Sequence, residues 1–239
     1  MTLSGYLRYP HVHGDLVAFT AADDVWLAPV SGGRAWKLSA DGASVSNPRF
    51  SPDGSRVAWT SWRDRDPEAY VIHVAGEAPR RLTYWGDAQT RTVGWGCDNE
   101  VLAVSAVGQP ARQYAWAYAV PLDGPPRRLP FGPVSDLALG EPGAARSGMG
   151  ALLTGRVQRE PAYWKRYRGG EAGRLWTRTG DDPLFSRVLS DTGGQLSSPM
   201  LLAGRLFFLG DHEGTGNIYS CALDGSDLRR HTDHDGFYA

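Results

Sequence analysis

The sequence predicts an all-β fold, a β-propeller of four-stranded antiparallel blades with about five blades present of an expected six. One observation is compositional: the 239 residues include 9 Trp, 10 Tyr and 7 Phe together with 30 Gly and 16 Pro. Such a chain forms many short aromatic strands separated by many turns. The other observation is an internal repeat, whose period of about 40–50 residues is that of a four-stranded blade.

The clearest copy of the repeat lies in the second blade. Its residues 51–54 read Ser-Pro-Asp-Gly, a tight turn in which proline presets one φ angle and glycine accepts a positive one. After the turn, Val57 and Trp59, and then Tyr70 and Ile72, alternate with smaller or polar residues. This period of two is typical of strands. The copy is therefore a turn-linked antiparallel meander.

Four further copies repeat the same order, and an aromatic residue in the third strand marks each one. The five landmarks are Trp26, Tyr70, Trp116, Trp176 and Tyr219. They are 44, 46, 60 and 43 residues apart, so three spacings match a blade and one implies an insertion of about 15 residues. The blades are assigned approximately to residues 10–45, 46–91, 92–137, 138–197 and 198–239 of a single, incomplete propeller domain, 1–239.

The last residues resemble a linker between two blades. Residues 232–239 match the linker 82–87 that precedes the third copy. Because one blade cannot bury both of its faces alone, the blades must stack radially into a ring that closes or nearly closes. We therefore expect a fragment of a longer propeller protein, with a natural five-bladed ring as the alternative.

Charge and hydropathy exclude several classes of protein. The 25 Lys and Arg balance 26 Asp and Glu, and the isoelectric point is near 6.6, whereas nucleic-acid-binding domains typically exceed about 9. No apolar run reaches the ~18 residues of a spanning helix, and the N-terminus does not resemble a signal peptide. Cys97 and Cys221 form no disulfide framework. We expect a cytoplasmic protein with no nucleic-acid or membrane partner.

No sequence motif assembles a catalytic site. A Gly-x-Ser-x-Gly nucleophile elbow and a Gly-Lys-Ser/Thr phosphate loop are both absent, and residues 94–99 lack the third glycine of a dinucleotide fingerprint. We predict no catalytic residue, no cofactor and no metal in this chain.

Several polar clusters have two interpretations each. His11, His13 and Asp15 could hold a metal or cap a blade loop, and capping is favoured because nothing else completes a coordination sphere. The clusters at 211–213 and 231–235 are interpreted as solvated turns. The recurrent aspartates are interpreted as turn residues that accept backbone N–H bonds; they are Asp24, Asp53, Asp123 and Asp224. The landmark aromatics are interpreted as packing between blades rather than as a stacking platform.

One basic, aromatic segment is the best candidate for a binding role. Between Arg156 and Arg178, seven basic residues oppose two acidic ones, an excess of +5 in a chain of net charge −1. The segment interleaves cations with aromatic rings in a long loop between strands, where function concentrates. It either contacts peptides or is a solvated or inter-domain loop. The predicted peptide contacts are Arg159, Trp164, Lys165, Arg166 and Arg168.

Four stretches of the sequence carry a resemblance to a known family: residues 6–19, 23–29, 47–61 and 228–238. The first three are similar to the start of the bacterial members of the tricorn protease family, and the fourth is similar to that family's fifth blade running into its sixth. The resemblance covers nearly the whole chain. The stretch from about 140 to 173 is poorly matched. The blade pattern itself, with its Ser-Pro-Asp-Gly turn, also resembles the WD40-like repeats of TolB and of prolyl-oligopeptidase-type enzymes.

The resemblance implies a non-catalytic role for this segment. Tricorn-like proteins begin with a six-bladed propeller, continue with a seven-bladed one and carry the serine peptidase in PDZ-flanked C-terminal domains. This chain would therefore be an N-terminal channel, gate and assembly surface for a peptidase that degrades oligopeptides. The implied partners are the remaining domains of its own chain, oligopeptides and further copies in a homo-oligomer.

Two other functions remain open from the sequence. A stand-alone TolB-like interaction propeller would need an export signal, and none is seen in the sequence. A sugar-processing propeller enzyme would need carboxylates that converge at the channel rather than in turns.

Overall fold

The computed structural model describes residues 6–96, 98–111, 113–140, 148–155, 169–180 and 184–235. Within these ranges the regular structure consists of twenty β-strands and contains no helix. A search of the same ranges for a helix long and apolar enough to cross a bilayer finds none.

The strands form five four-stranded antiparallel sheets, each paired in chain order. Sheet 1 contains β1 (Arg8–His13), β2 (Leu16–Ala21), β3 (Asp24–Pro29) and β4 (Trp36–Lys37). Sheet 2 contains β5 (Val45–Phe50), β6 (Arg56–Asp64), β7 (Asp66–His73) and β8 (Arg80–Arg81). Sheet 3 contains β9 (Arg91–Trp95), β10 (Val101–Ser105), β11 (Trp116–Val120) and β12 (Arg127–Arg128).

The last two sheets have the same design. Sheet 4 contains β13 (Asp136–Leu139), β14 (Gly150–Thr154), β15 (Arg174–Arg178) and β16 (Ser186–Arg187). Sheet 5 contains β17 (Leu196–Leu202), β18 (Arg205–Gly210), β19 (Asn217–Cys221) and β20 (Arg229–Arg230). Five consecutive four-stranded meanders are the blade architecture of a β-propeller. The all-β propeller predicted from the sequence is confirmed, with five blades.

The sheets fall into two compact units, and each unit has its own apolar core. Sheets 1–3 lie in the unit Met1–Pro130, and sheets 4 and 5 lie in the unit Phe131–Ala239. In the first unit, Trp59 stacks on Tyr70 with ring centroids 5.9 Å apart. In the second, Phe208 stacks on Tyr219 at the same centroid distance. All four side chains are buried, and fully burying one large apolar side chain stabilises the fold by about 1.5–3 kcal/mol.

The turn between β5 and β6 is held by its own side chains. Asp53 accepts hydrogen bonds from the Ser55 backbone N–H at 3.0 Å and from the Ser51 hydroxyl at 2.6 Å. These bonds favour the ionised carboxylate and lower the pKa of Asp53 to about 2. Gly54 has φ +70°, and a Cβ there would lie 2.3 Å from the His13 ring. The Ser-Pro-Asp-Gly turn is therefore confirmed, and its glycine is required both by φ and by space.

A β-bulge that contains a proline recurs in the first strand of three sheets. Tyr9, Asn47 and Ser198 all have positive φ, at 53°, 54° and 52°, and each precedes a proline. The pairing with the second strand shifts at the same point in each case. Proline cannot donate to the ladder, so a bulge is the place where a paired strand tolerates it.

The strand register corrects one of the five aromatic landmarks. In four sheets the landmark pairs with a basic residue of the fourth strand; the pairs are Trp26–Lys37, Tyr70–Arg81, Trp176–Arg187 and Tyr219–Arg230. In sheet 3 the residue that pairs with Arg128 is Tyr118, not Trp116. Trp116 lies in the same strand, two residues earlier, and so on the same face, which is why the two aromatics could not be told apart by pattern.

Candidate functional site

The five predicted peptide contacts lie outside the described residues. Arg159, Trp164, Lys165, Arg166 and Arg168 all fall in the range 156–168. The structure describes the strands on either side, β14 and β15. Of the predicted basic segment, it describes Arg174 and Arg178, which begin and end β15.

The connection between β14 and β15 leaves sheet 4 at an edge that we call the 2–3 edge. It is the edge at which the second strand of a sheet turns into the third. In a four-stranded meander, the fourth strand also ends at this edge and the linker to the next sheet leaves from it. The described residues at the 2–3 edge of sheet 4 are therefore those nearest in sequence to the predicted peptide contacts.

At the 2–3 edge of all five sheets, the register-equivalent aromatic residue anchors the preceding connection through its polar atom. The Tyr118 hydroxyl donates to the Val107 carbonyl at 2.8 Å, and the Trp26 indole N–H donates to the Ala21 carbonyl at 2.9 Å. The other three donate to side chains; the pairs are Tyr70–Asp64, Trp176–Thr154 and Tyr219–Glu213. These rings are structural anchors within their own sheets. Tyr70 and Tyr219 also belong to apolar clusters that join two neighbouring sheets, which is the predicted packing between blades.

Sheets 2 and 5 extend the anchor into a tyrosine–carboxylate–arginine triad. In sheet 5, Glu213 accepts from the Tyr219 hydroxyl at 2.9 Å and from Arg230 at 3.1 Å. In sheet 2, Asp64 accepts hydrogen bonds from the Tyr70 hydroxyl and from Arg81 in the same way. Burial, reinforced by Glu213, raises the pKa of Tyr219 to about 12, and burial with Asp64 raises the pKa of Tyr70 as well. Both phenols remain protonated donors at physiological pH.

Sheets 1, 2 and 5 share a second network, which we call the linker clamp. An acid or amide two residues before the landmark is paired with a Ser or Thr two residues after the fourth-strand cation; the pairs are Asp24–Ser39, Glu68–Thr83 and Asn217–Thr232. In each pair the hydroxyl donates to the carboxylate or amide oxygen. The hydroxyl also accepts a backbone N–H of the third strand at 2.9 Å in each case.

The clamp fixes the linker that leaves the sheet. The Asp24 carboxylate accepts the Asp41 backbone N–H at 2.7 Å, and Glu68 accepts that of Gly86 at 2.9 Å. Asn217 accepts the backbone N–H of His234 at 2.9 Å. Glu68 is only 1 % exposed, and a buried carboxylate is tolerated because all these donors surround it.

Sheets 3 and 4 both depart from this pattern. In sheet 3 the clamp positions hold Trp116 and Pro130, because Tyr118 pairs with Arg128. In sheet 4 the same positions hold Arg174 and Leu189, because Trp176 pairs with Arg187. Arg174 thus stands where the clamp has its carboxylate or amide, and Leu189 stands where the clamp has its hydroxyl. A cleft of about 430 Å³ opens here between the start of β15 and the linker after β16. It is lined by Arg174, Arg187, Leu189, Asp191, Thr192 and Gly194 among others, and Gly169 forms part of its rim.

The histidines near the N-terminus pack on a phenylalanine. The His11 and His13 rings lie 6.0 and 5.8 Å from the Phe50 ring, and His11 Nδ1 accepts the Phe50 backbone N–H at 3.2 Å. Burial, with Arg49 and His13 adding to it, lowers the pKa of His11 to about 3. Among the described residues, no group of three His, Cys, Asp or Glu side chains could hold a metal ion. His11 is a neutral acceptor that joins sheets 1 and 2.

The second cluster, 211–213, is more than a solvated turn. Asp211 accepts the Gln195 backbone N–H at 2.6 Å, while Glu213 belongs to the triad of sheet 5. The His212 ring lies 4.4 Å from the Tyr219 ring, and burial lowers the pKa of this imidazole. The cluster therefore holds the 2–3 edge of sheet 5 together, a role that no distinctive sequence pattern indicates.

The recurrent aspartates do not occupy equivalent positions. Asp53 and Asp224 are turn residues that accept backbone N–H bonds, as predicted, and the exposed Asp123 pairs with Arg80 at 3.0 Å. The prediction for Asp24 was wrong. Asp24 is 4 % exposed within β3, where it accepts from Ser39 and pairs with Lys37 at 2.7 Å. Its place in the linker clamp explains why a carboxylate can stand inside a strand.

One serine–histidine contact has the distance of a nucleophile–base pair. The Ser220 hydroxyl lies 2.7 Å from His231 Nε2. However, Ser220 is 0 % exposed, and its oxygen also accepts the Arg205 Nε–H at 3.2 Å. A buried hydroxyl that an arginine already occupies cannot reach a substrate carbonyl. The contact holds β19 against the residue after β20.

Comparisons with known proteins test the resemblance noted in the sequence. The family model described as the tricorn protease N-terminal beta propeller domain matches residues 4–239. Tricorn protease homolog 1 of Streptomyces coelicolor is 53 % identical over 235 residues, covering 98 % of this chain and 21 % of the relative. A putative tricorn-like protease N-terminal subunit of Sulfurisphaera tokodaii is 31 % identical over 72 % of this chain and 86 % of the relative.

Solved structures give the same fold. A crystal structure of the tricorn protease superposes with a TM-score of 0.85 at 27 % identity, over 98 % of this chain and 23 % of that one. A putative TolB from Agrobacterium tumefaciens reaches 0.71 at 15 % identity, covering 95 % and 80 % of the two chains, a likeness that shows the fold alone. The chain spans about a fifth of the Streptomyces relative's length. It belongs to the tricorn protease family, as that family's N-terminal β-propeller domain.

Proposed function

We propose that this propeller is the non-catalytic N-terminal part of a cytoplasmic serine peptidase that degrades oligopeptides, and that it guides peptides and contributes surface to a homo-oligomer. The observation that carries the proposal is the family match over residues 4–239. A relative of which this chain covers 86 % is named an N-terminal subunit, which supports a propeller that acts alongside other domains or chains.

The side chains of the described residues support a role other than bond cleavage. The polar groups at the 2–3 edges are committed to anchors, triads and clamps, and the Ser220 hydroxyl of the Ser220–His231 contact is buried and already accepts a hydrogen bond from Arg205. In contrast, the 2–3 edge of sheet 4 has an open cleft with two arginines. A cationic surface attracts the carboxylates of peptides, so this edge suits peptide guidance.

Covalent labelling of the intact protein tests the proposal. A fluorophosphonate that reacts with activated serines should block peptidase activity, and mass spectrometry of the digest should find the label only on peptides outside residues 1–239. A label on a serine within this chain, with loss of activity when that serine is replaced by alanine, would contradict a non-catalytic propeller. An intact protein with no peptidase activity at all would contradict the peptidase assignment.

A further inference from the structure

Among the described residues, the fourth-strand cation has an acidic or aromatic side-chain partner in sheets 1, 2, 3 and 5, whereas in sheet 4 it contacts only a backbone carbonyl. Lys37 and Arg81 each pair with the clamp carboxylate of their own sheet, at 2.7 and 3.1 Å. Arg230 pairs with Glu213 and Asp233, and Arg128 lies over the Trp116 ring at 5.1 Å. These contacts compensate the cations at the 2–3 edges of sheets 1, 2, 3 and 5.

In sheet 4, the equivalent cation faces a second cation. Arg187 donates only a long 3.4 Å bond to the Ser190 carbonyl. Arg174, at the clamp-acid position, pairs through its backbone with Thr154, but its side chain makes no hydrogen bond or ion pair within the described part of the chain. Both guanidinium groups are on one face of the sheet, because Arg174 is two residues from Trp176, the residue that pairs with Arg187. The sheet thus replaces an acid–base pair by two like charges.

The cleft beside these arginines is a built concavity. A Cβ at Gly173 would lie 1.8 Å from the Leu196 carbonyl oxygen, so only glycine lets β15 approach β17 this closely. The Gly173 N–H donates to the Gln195 side chain at 3.2 Å, and Gln195 is 8 % exposed. The floor of the cleft is therefore fixed, while Arg174 and Arg187 stand exposed at its opening.

From this arrangement, we infer that the cleft of sheet 4 is a carboxylate-binding site in which Arg174 and Arg187 hold one anionic group of a peptide. Arginine presents a planar fork of donors that fits a carboxylate. A carboxylate placed between the two guanidinium groups would restore the charge balance that Asp24 and Glu68 give sheets 1 and 2. The apolar Leu189 and the hydroxyl of Thr192 complete the lining.

Asp191 gives the proposal its internal control. Its carboxylate also lines the cleft and receives only a 3.3 Å hydrogen bond from the neighbouring Ser190 hydroxyl. It opposes the entry of another anion. Replacing Asp191 by Asn should therefore strengthen carboxylate binding, whereas replacing either arginine should weaken it. A substitution that merely disturbed the fold would not act in both directions.

Calorimetric titration of the intact protein tests the inference. The probes are an N-acetylated tetra-alanine with a free C-terminus, an acetylated and amidated Ala-Glu-Glu-Ala, and its neutral Ala-Gln-Gln-Ala counterpart. The first two carry a carboxylate at the C-terminus and on side chains respectively, so their relative affinities identify which source the cleft prefers. We expect Arg174→Gln and Arg187→Gln each to weaken binding of the preferred probe about three- to tenfold, and Asp191→Asn to strengthen it.

The matched control is Arg80→Gln, which removes one exposed cation from the other unit and should leave binding unchanged. The effects of the two cleft arginines should shrink at high salt. The inference is overturned if neither carboxylate probe binds, if the neutral peptide binds equally well, or if both arginine variants bind as wild type does. The inference rests on the peptide role proposed above, and the intact protein is treated with the fluorophosphonate before titration, so that the probes bind without being cleaved. Loss of the peptidase assignment would therefore leave the result of the titration standing.

Discussion

Arg174 in sheet 4 stands at the register position that Glu68 holds in sheet 2. Each precedes its landmark aromatic by two residues, and each landmark pairs with an arginine of the fourth strand. In sheet 2, Glu68 receives Arg81, the Thr83 hydroxyl and the Gly86 backbone N–H, and the linker is held closed. In sheet 4, a cleft opens at the same place. The same positions of the repeat thus stabilise the linker in sheet 2 and line an open cleft, available for binding, in sheet 4.

The linker clamp of sheet 2 should be measurable as stability. Thr83→Val keeps the shape of the side chain but removes a donor to the buried Glu68 and the acceptor of the Ala69 N–H. Two buried polar groups lose a partner, so the free energy of unfolding should fall by about 2–3 kcal/mol. Denaturant unfolding measures it, with the exposed Thr179→Val as control. A loss equal to that of the control would contradict the clamp.

The tyrosine hydroxyl in the triad of sheet 5 should contribute less to the free energy of unfolding than the linker clamp does. Tyr219→Phe removes the hydroxyl that donates to Glu213 and leaves the ring stacked on Phe208. Because Glu213 stays partly solvated and still receives Arg230, unfolding free energy should fall by about 1 kcal/mol. Tyr84→Phe, at a residue 75 % exposed, should change nothing. Equal values for the two variants would mean that the Tyr219 hydroxyl contributes no stability.

His11 should make the stability depend on pH. Its pKa is about 3 in the folded chain against 6.5 for the free side chain, so the unfolded chain binds a proton that the folded chain excludes. Stability should therefore be fully present above about pH 6.5 and should fall as the pH drops towards 3, by up to about 1.4 kcal/mol per pH unit.

Asn at position 11 is the matched variant for this titration. Its side-chain oxygen can accept the Phe50 N–H as Nδ1 does, but it does not titrate. His11→Asn should flatten the pH dependence of denaturant unfolding between pH 6.5 and 4, whereas the same change at the partly exposed His73 should not. An unchanged slope in His11→Asn would mean that other groups cause the acid sensitivity.

Ser220 should matter for folding and not for chemistry. Ser220→Ala deletes the contact with His231 and the acceptor for Arg205, so we expect a loss of about 1 kcal/mol in stability with unchanged peptidase kcat in the intact protein. Ser186→Ala, in the exposed part of β16, serves as control. A large fall in kcat with Ser220→Ala alone would identify a catalytic serine inside the propeller.

Local patterns predicted the blades because turns and period-two alternation are properties of neighbouring residues. The Ser-Pro-Asp-Gly turn is an example, because Asp53 accepts the N–H of the nearby Ser55 and Gly54 adopts the positive φ, without any contact distant in sequence. Register is different. Trp116 and Tyr118 share a face, and only pairing with Arg128 separates them.

The sequence predicted only one of the two arginines of the proposed binding cleft. Charge counting pointed to the segment that contains Arg174, but not to its partner Arg187, which is across the sheet. Asp24 was mistaken for a turn residue because its clamp partner Ser39 lies fifteen residues away. The signal in the sequence is the residue two positions after the fourth-strand cation. It is a hydroxyl residue in sheets 1, 2 and 5, namely Ser39, Thr83 and Thr232, whereas Pro130 and Leu189 stand there in sheets 3 and 4.

The most direct measurement of a non-catalytic, peptide-guiding propeller is the steady-state kinetics of the intact protein with acidic and neutral oligopeptides. Lys165, Arg166 and Arg168 are replaced together by glutamate. We expect KM for acidic peptides to rise, more at low than at high salt, while kcat and the KM of neutral peptides stay unchanged. Unchanged kinetics with both peptides, or a loss of kcat with both, would contradict a non-catalytic, peptide-guiding propeller.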